Sequence, residues 1–294
     1  MEGSPNPSPD GAPSPAHPAR SDRRRKPRRP LSDRLASPDA EAVYRYVLEV
    51  LRDGGVEFLV GGAYAFTRYT GIERSTKDFD VFVRYTDRDR ALDTLYDAGF
   101  ETELTFPHWL GKAFWGDDFC DVIFSSGNGV APVDDGWFAS APGADVLGVA
   151  CRICPPEEML WSKAFVMERE RYDGADVVHL IRAGAATLDW ERVVRRFEDR
   201  WRVLLTNLVL FGFIYPGERT RVPRAVMADL LGRLEPELDE DAAGPKLCNG
   251  TIVSRQQYLV DVNEWGYVDG RLRPHGNMTA REIADWTAAI DTIK

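Results

Sequence analysis

The sequence predicts an α+β fold: a mixed β-sheet with helices on one side, followed by a helical region and a small C-terminal subdomain. Short runs rich in apolar residues at 58–60, 78–84, 100–105, 112–116 and 119–124 are typical of strands. Segments with helical spacing of apolar residues lie between and after these runs. Hydrophobic residues make up 44% and charged residues 29% of the 294 residues, as in ordinary globular proteins.

Composition divides the chain into four segments. The predicted segments are a tail at 1–36, a core at 37–150, a helical region at 151–216 and a C-terminal subdomain at 217–294. The change from strand-rich to helix-rich sequence follows a proline pair, which interrupts regular structure.

The tail, residues 1–36, is rich in proline, serine, alanine and arginine, and we expect it to be disordered because it has almost no large apolar side chains to bury. It carries eight basic and four acidic residues, a balance of +4, so the rest of the chain carries −14 of the total −10. Such an arm can gather RNA or another polyanion, but charged runs are more often simply solvated. A tail of this charge can equally fold back onto its own acidic domain.

Two helix starts accompany the first strands. Ser37-Pro38-Asp39 combines a cap residue, a proline at the first turn and an acid, and predicts a helix that runs to about Arg52. Thr86 is predicted to cap a second helix, which Gly99 ends.

Gly61 and Gly62 directly follow the apolar run 58–60, which predicts a buried strand that enters a tight turn. Residues 63–69 then have the apolar and aromatic character of a short helix. Because glycine has no Cβ atom, a phosphate group can approach its backbone closely, and the N–H groups that begin the next helix favour an anion. The glycine pair is therefore a candidate phosphate-binding turn.

Asp78 and Asp80 lie two residues apart in the next predicted strand. Because strand side chains alternate, both carboxylates leave one face of the sheet while Phe79 leaves the other, and their Cα atoms are roughly 6.6 Å apart. Carboxylate oxygens at this spacing can share one or two Mg²⁺ ions, whose other ligands are often substrate phosphates.

A third carboxylate, Asp121, interrupts the apolar run 119–124. A charged group in such a run is costly unless it is paired or bound to a cation. If the two strands are neighbours, Asp121 joins Asp78 and Asp80 in a three-carboxylate cluster. Such a cluster suits an in-line displacement at phosphorus, with one metal ion activating the attacking hydroxyl and another holding a triphosphate.

The order G-G-x-A, then R-x-T-x-D-x-D, then a lone Asp in a strand resembles the nucleotidyltransferase superfamily that includes DNA polymerase beta. The resemblance covers about residues 55–180. Within the superfamily the chain is most similar to stand-alone bacterial and archaeal nucleotidyltransferases related to abortive-infection toxins. The resemblance implies an enzyme that transfers a nucleoside monophosphate from an NTP, ATP among them, to a hydroxyl acceptor with Mg²⁺. It also implies that the predicted mixed sheet is a nucleotidyltransferase core.

By this resemblance Asp78 and Asp80 are the metal-binding pair, and Asp121 is the third acid, which acts through the metal or directly as a base. All three are candidate catalytic and metal-binding residues. Gly61 and Gly62 match the phosphate-binding loop of the resembling proteins.

Three further residues are candidates for contact with the nucleotide. Arg74 and Thr76 match the positions that precede the acid pair in the resembling proteins. Residues 157–171 have helical spacing and place Lys163 on or beside the apolar face, where a lysine either reaches out to solvent or turns toward a triphosphate. Asp176, at the start of the next predicted helix, is expected to cap that helix or to pair with an arginine.

The acceptor stays open at this point: a tRNA end, a protein hydroxyl, or a small hydroxylated molecule such as an aminoglycoside. The acidic body favours a cationic small acceptor, because it repels phosphates, whereas the basic tail favours nucleic acid. Residues 254–271 contain Arg255, Trp265 and Tyr267, which predict either an acceptor groove or the packing of a small subdomain.

An alternative function is a non-catalytic nucleotide-binding or interaction protein on the same fold. The related toxins also imply an antitoxin-type protein partner. The longest apolar stretch, 203–215, is too short for a membrane span and predicts a buried helix. No secretory signal is visible, and the four cysteines predict reduced thiols in a cytoplasmic protein.

Overall fold

A computed structural model describes residues 24–26, 39–74, 78–238 and 244–289. In chain order its elements are α1 (Ala40–Asp53), β1 (Leu59–Val60), α2 (Gly62–Thr70), β2 (Asp78–Phe82), α3 (Arg88–Asp97), β3 (Glu101–Phe106), β4 (Leu110–Trp115), β5 (Asp118–Ile123), α4 (Asp135–Ala139), β6 (Gly143–Val146), β7 (Val149–Arg152), α5 (Pro156–Ala164), α6 (Gly174–Gly184), α7 (Trp190–Phe197), α8 (Trp201–Ile214), α9 (Arg224–Leu234), β8 (Leu247–Cys248), α10 (Gly250–Val253), α11 (Leu259–Asn263), β9 (Val268–Asp269) and α12 (Ala280–Ala288).

The main sheet has five strands in the order β1-β2-β5-β4-β3. Strands β2 and β5 are parallel, while the other neighbours in this sheet are antiparallel. The sheet is therefore mixed, and the predicted α+β fold class is confirmed. The division into a tail and three further segments stays a prediction.

The two faces of the central strands differ because side chains alternate along each strand. Phe79 and Val81 of β2, with Cys120 and Val122 of β5, are buried on one face. Helices α1 and α3 cover this face, and Tyr44 of α1 stacks on Phe79 with ring centroids 4.8 Å apart. The opposite face of the same strands is left to line a cleft.

The predicted helix starts are partly correct. Helix α1 begins at Ala40, and its cap is Asp39, whose side chain accepts from the Ala42 backbone N–H at 2.8 Å. The predicted cap at Ser37 lies outside the described residues. Thr86 does not cap α3, because a single turn of 3₁₀-helix at Tyr85–Asp87 comes first.

The helical region departs from the prediction in two places. Helix α5 ends at Ala164, so the residues after it, up to Arg171, do not continue the predicted helix. Helix α8 is not buried on all sides, because the side chain of Phe213 is 81% exposed. Helix α7 is capped by Asp189, whose side chain accepts from the Arg192 backbone N–H at 2.9 Å.

Three residues of the predicted tail, 24–26, lie against the edge of the sheet. The Arg25 backbone N–H donates to the Thr102 carbonyl of β3 at 2.7 Å, and Arg24 pairs with Glu101 at 2.6 Å. The rest of the tail lies outside the described residues. The short contact agrees with the alternative in which basic residues fold back onto the acidic domain.

All four cysteines lie within the described residues, and each is a free thiol. Within the described part of the chain, no helix combines the length and the apolar character that crossing a bilayer requires.

Candidate functional site

A cleft of about 320 Å³ lies on the face of the sheet that α1 and α3 leave open. One side of the cleft is the sheet itself, with Asp80 and Asp121. The other sides come from the end of α5, with Lys163, and from C-terminal segments that contribute Arg255 and Trp286. Side chains from three separate parts of the chain therefore meet in one place.

The three predicted acids all line this cleft. Asp80 and Asp121 are direct Cα partners in the parallel pairing of β2 with β5. Asp78 lies two residues before Asp80 on the same strand, so its side chain leaves the same face of the sheet. The prediction that the two acid-bearing strands are neighbours is confirmed.

The carboxylates influence each other's ionisation. Burial, together with the negative charges of Asp121 and Asp78, raises the pKa of Asp80 to about 7. Burial also raises the pKa of Asp121, and it outweighs the opposing effect of a neighbouring Lys112. Two half-buried acids with raised pKa values indicate a site where negative charge is concentrated and incompletely balanced.

The two glycines lie tightly against β2. The Gly61 backbone N–H donates to the Asp80 carbonyl at 3.0 Å, and a Cβ atom at Gly61 would lie 2.2 Å from Cε2 of Phe82. Gly62 has φ +52°, and a Cβ atom there would lie 1.7 Å from Oδ2 of Asp80. A side chain at either position would displace Phe82 or Asp80, and among the described residues no side chain caps the start of α2. The open N–H groups of this helix start are free to face an anion.

Lys163 lies in the last turn of α5 and lines the cleft opposite the acids. Its Nζ atom is 3.0 Å from Oδ2 of Asp173 and 2.8 Å from Oδ2 of Asp176. Arg171, which also lines the cleft, donates to both oxygens of Asp173 at 3.1 Å. Their positive charges lower the pKa of Asp80 slightly, although burial and the other acids dominate it.

Arg74 is not among the residues that line the cleft. Its guanidinium forms a two-pronged hydrogen bond with the carboxylate of Asp176 and lies 4.3 Å from the ring centroid of Phe66. Burial alone would raise the pKa of Asp176, but the bond from Arg74 and the charge of Lys163 outweigh it and lower that pKa. The expectation that Asp176 pairs with an arginine is met. Thr76, the neighbouring candidate, lies outside the described residues.

Lys112 is a residue of the site that the sequence reasoning missed. It is the antiparallel Cα partner of Asp121 across β4 and β5, and its Nζ atom donates to Oδ1 of Asp121 at 2.6 Å. The lone lysine in the otherwise apolar run 112–116 was the available signal. The contact of this lysine with Asp121 depends on the pairing register of β4 with β5, which a single sequence does not contain.

The C-terminal wall of the cleft also combines unexpected residues. Trp286 of α12 packs against Trp109 with ring centroids 5.1 Å apart. Arg255 lies 4.3 Å from the Trp286 ring and pairs with Glu168 at 3.0 Å. By contrast, Trp265, one of the two aromatic residues singled out in 254–271, is 58% exposed and does not line the cleft.

The carboxylate oxygens of the cleft determine which kind of metal site these residues could form. Within the described residues, no three Asp, Glu, His or Cys side chains are grouped closely enough to hold one ion. Asp78 and Asp80 offer oxygen ligands of the kind that Mg²⁺ takes together with substrate phosphates. Their mutual repulsion, which contributes to the raised pKa of Asp80, is relieved by a divalent cation. Two carboxylates therefore fit a Mg²⁺ site that the substrate completes, whereas Asp121 is engaged by Lys112.

No protein-family model matches the sequence, and no curated protein matches it. Solved structures that are similar to this chain include nucleotidyltransferases. The antibiotic-resistance factor ANT(2'')-Ia is 17% identical, over 56% of this chain and 94% of its own, with a TM-score of 0.39. The lincosamide antibiotic adenylyltransferase LnuA is 14% identical, over 49% of this chain and 96% of its own, with a TM-score of 0.35.

A third structure is that of an antigenic nucleotidyltransferase-like protein from Paracoccidioides brasiliensis. It is 13% identical, over 64% of this chain and 93% of its own, with a TM-score of 0.39.

Proposed function

We propose that this protein is a nucleotidyltransferase that moves a nucleoside monophosphate from an NTP to a hydroxyl group and releases pyrophosphate. One observation carries the proposal: Asp80 and Asp121 are paired across two parallel strands, and Gly62 touches Asp80 in the same cleft. Transfer at phosphorus requires acids on one face, helix N–H groups that can bind phosphate, and cations opposite them, and this cleft combines all three.

Gly61, Gly62 and the start of α2 are proposed to bind the triphosphate. The missing Cβ atoms let Phe82 and Asp80 pack directly against this turn, and the N–H groups at the start of α2, which no described side chain caps, complement negative charge. Lys163 and Arg171, across the cleft, place two positive charges where the outer phosphates and the departing pyrophosphate would lie. Asp173 and Asp176 hold these cations in place through the contacts described above.

Asp78 and Asp80 would hold Mg²⁺. When bound, the ion neutralises the phosphates and makes the α-phosphorus more open to attack. The bond that forms joins the acceptor oxygen to the α-phosphorus, and the bond that breaks is the one to the bridging oxygen of pyrophosphate, which leaves with the electron pair. Asp121 takes the proton of the acceptor hydroxyl. Its raised pKa makes it a stronger base than an exposed aspartate.

The lining of the cleft also supports a choice among acceptors. Of the described residues, this wall presents Trp109 and Trp286, and the one acid among them, Glu168, is already paired with Arg255. The described part of the wall therefore offers no open carboxylate to a polycationic acceptor, although the acidic body as a whole favours cations. An acceptor with an uncharged, planar part suits stacking on tryptophan better. We therefore propose such an acceptor, and the antitoxin-type partner stays a prediction.

The test is transfer of label. The purified protein is incubated with Mg²⁺, each of the four NTPs labelled at the α-phosphate, and either total tRNA or a cell extract as the source of acceptor. The proposal expects label in a new covalent product with at least one NTP, together with release of unlabelled pyrophosphate. A matched reaction with the Asp80→Asn variant expects neither product.

The outcomes separate the two functions considered. Nucleotide binding without any labelled product, in the presence of every acceptor source, would favour the non-catalytic nucleotide-binding protein. Release of labelled monophosphate without transfer would instead indicate hydrolysis, with water as the acceptor. Equal labelling by wild type and Asp80→Asn would contradict the assignment of the cleft.

A further inference from the structure

Lys112 and Asp121 form a pair that the backbone itself sets. The two residues are Cα partners across the antiparallel strands β4 and β5, which places their side chains side by side on the cleft face. The Nζ atom of Lys112 lies 2.6 Å from Oδ1 of Asp121, with 23% and 16% of the two side chains exposed. The same ammonium lies 4.1 Å from the ring centroid of Phe119, one further contact that fixes its position.

The ammonium of Lys112 occupies the space beside Oδ1 of Asp121. An ammonium that donates a short hydrogen bond to a carboxylate competes with a divalent ion for the same oxygen lone pairs. In the described residues, the acids are also not grouped as a three-ligand site. The carboxylate of Asp121 is therefore already paired with a cation, although its charge still acts on Asp80.

We propose that Lys112 is a fixed substitute for a second metal ion, so that this protein binds a single divalent ion, through Asp78 and Asp80. Lys112 is thus a positioning residue: it holds the carboxylate of Asp121 toward the acceptor and out of the metal's ligand set. The inference deepens the proposed function and rests on it for the role of the acceptor. The number of ions bound is measurable without any transfer reaction.

The experiment counts bound Mn²⁺, used as a probe for Mg²⁺, from the loss of the free-ion signal in electron paramagnetic resonance. The full chain is titrated at pH 8 with and without a non-hydrolysable NTP analogue. The wild type and Lys112→Arg, which keeps the charge, are expected to bind one ion. Lys112→Met is expected to bind a second ion, because Asp121 then becomes an open carboxylate beside the first site.

A charge-matched double variant, Lys112→Met with Asp121→Asn, removes both charges of the pair at once. If Asp121 is outside the ligand set, this variant should bind one ion with an affinity within about threefold of the wild type. If Asp121 is a ligand, the affinity should fall by about tenfold or more. Circular dichroism and melting curves establish that each variant is folded, and the double variant serves if Lys112→Met alone does not fold.

Two bound ions in the wild type, or one ion in both wild type and Lys112→Met, would overturn the inference. A large loss of affinity in the double variant would overturn it as well. One ion bound, with no nucleotidyl transfer to any acceptor, would instead contradict the proposed function while leaving the role of Lys112 intact. The two failures are therefore distinguishable.

Discussion

Gly62 and Asp80 are in such close contact that any side chain at position 62 would displace the carboxylate of Asp80. A Cβ atom there would lie 1.7 Å from Oδ2 and 2.7 Å from Cγ of Asp80. The backbone of Gly62 also has φ +52°, which L side chains rarely adopt. The turn that would receive phosphate and the acid that would receive metal are thus built as one unit.

Gly62→Ala is therefore expected to abolish nucleotide transfer, because the carboxylate of Asp80 has to rotate away from the new methyl group. The variant should also lose more than about 2 kcal/mol of unfolding free energy, from backbone strain and overpacking together. Gly71→Ala is the matched control, since Gly71 has φ +70° but no atom within 4 Å of a Cβ. It should cost only about 1 kcal/mol and keep its activity. Similar behaviour of the two variants in melting and transfer assays would contradict the contact.

The raised pKa of Asp80 has a consequence for stability without metal. In the unfolded chain its pKa is about 4, and in the folded protein it is about 7, so the folded state binds more protons between these values. The contribution of this group to stability is fully present below pH 4 and is lost as the pH rises through 7. Metal-free protein should therefore become less stable over this window.

Asp80→Asn removes this ionisation at nearly constant size. At pH 8 without metal, the variant should unfold with a free energy on the order of 4 kcal/mol higher than the wild type, and the gap should vanish near pH 4. Asp117→Asn makes the same chemical change at an exposed position and should have no such effect. Denaturant titrations at both pH values provide the measurement. A variant that is less stable than the wild type at pH 8 would show that Asp80 is stabilising when ionised.

Much of the fold and of the acid site follows from short-range patterns in the sequence. The alternation around Phe79 places Asp78 and Asp80 on one face, and the apolar run around Asp121 identifies its strand. These conclusions need only the period of a strand and the cost of a buried charge. The glycine pair is predictable for the same reason, since it directly follows a strand.

The remaining parts of the cleft depend on pairing between distant segments. Lys112 faces Asp121 only because of the register between β4 and β5, which no local pattern specifies. Trp286 reaches the cleft from the last helix, while the more conspicuous Trp265 remains exposed. The position of Arg74 also depends on a distant segment, because its partner Asp176 lies 102 residues further along the chain.

Truncation of Arg74 and truncation of Lys163 should have different effects on stability and on nucleotide affinity. Arg74→Ala leaves the buried carboxylate of Asp176 with Lys163 as its remaining cation, and it should cost about 1–2 kcal/mol of stability. Its affinity for a non-hydrolysable NTP should change by less than about threefold. Lys163→Met should weaken that affinity by about tenfold or more, because a charge in the cleft is lost. Calorimetry on both variants gives the comparison, and a larger effect for Arg74→Ala would reverse the assignment.

Trp286→Ala should act on the acceptor and not on the nucleotide. Loss of a stacking surface is expected to raise the KM for the acceptor by about tenfold, while the affinity for the NTP stays unchanged. Trp265→Ala, a truncation of the same size at an exposed position outside the cleft, is the control. The acceptor used is the one that the label-transfer reaction identifies. An unchanged KM in Trp286→Ala would mean that this tryptophan serves only to dock α12 on the sheet.

The central claim is that Asp78 and Asp80 create a nucleotide site that depends on a divalent ion. The most direct measurement is the melting temperature of the wild type and of Asp80→Asn with each non-hydrolysable NTP analogue, in Mg²⁺ or in EDTA. At one hundred times the dissociation constant, a ligand of the folded state should stabilise the wild type by about 2.7 kcal/mol in Mg²⁺. The shift should be much smaller in EDTA and absent in Asp80→Asn. Equal shifts in Mg²⁺ and EDTA, or no shift with any of the four nucleotides, would contradict the claim.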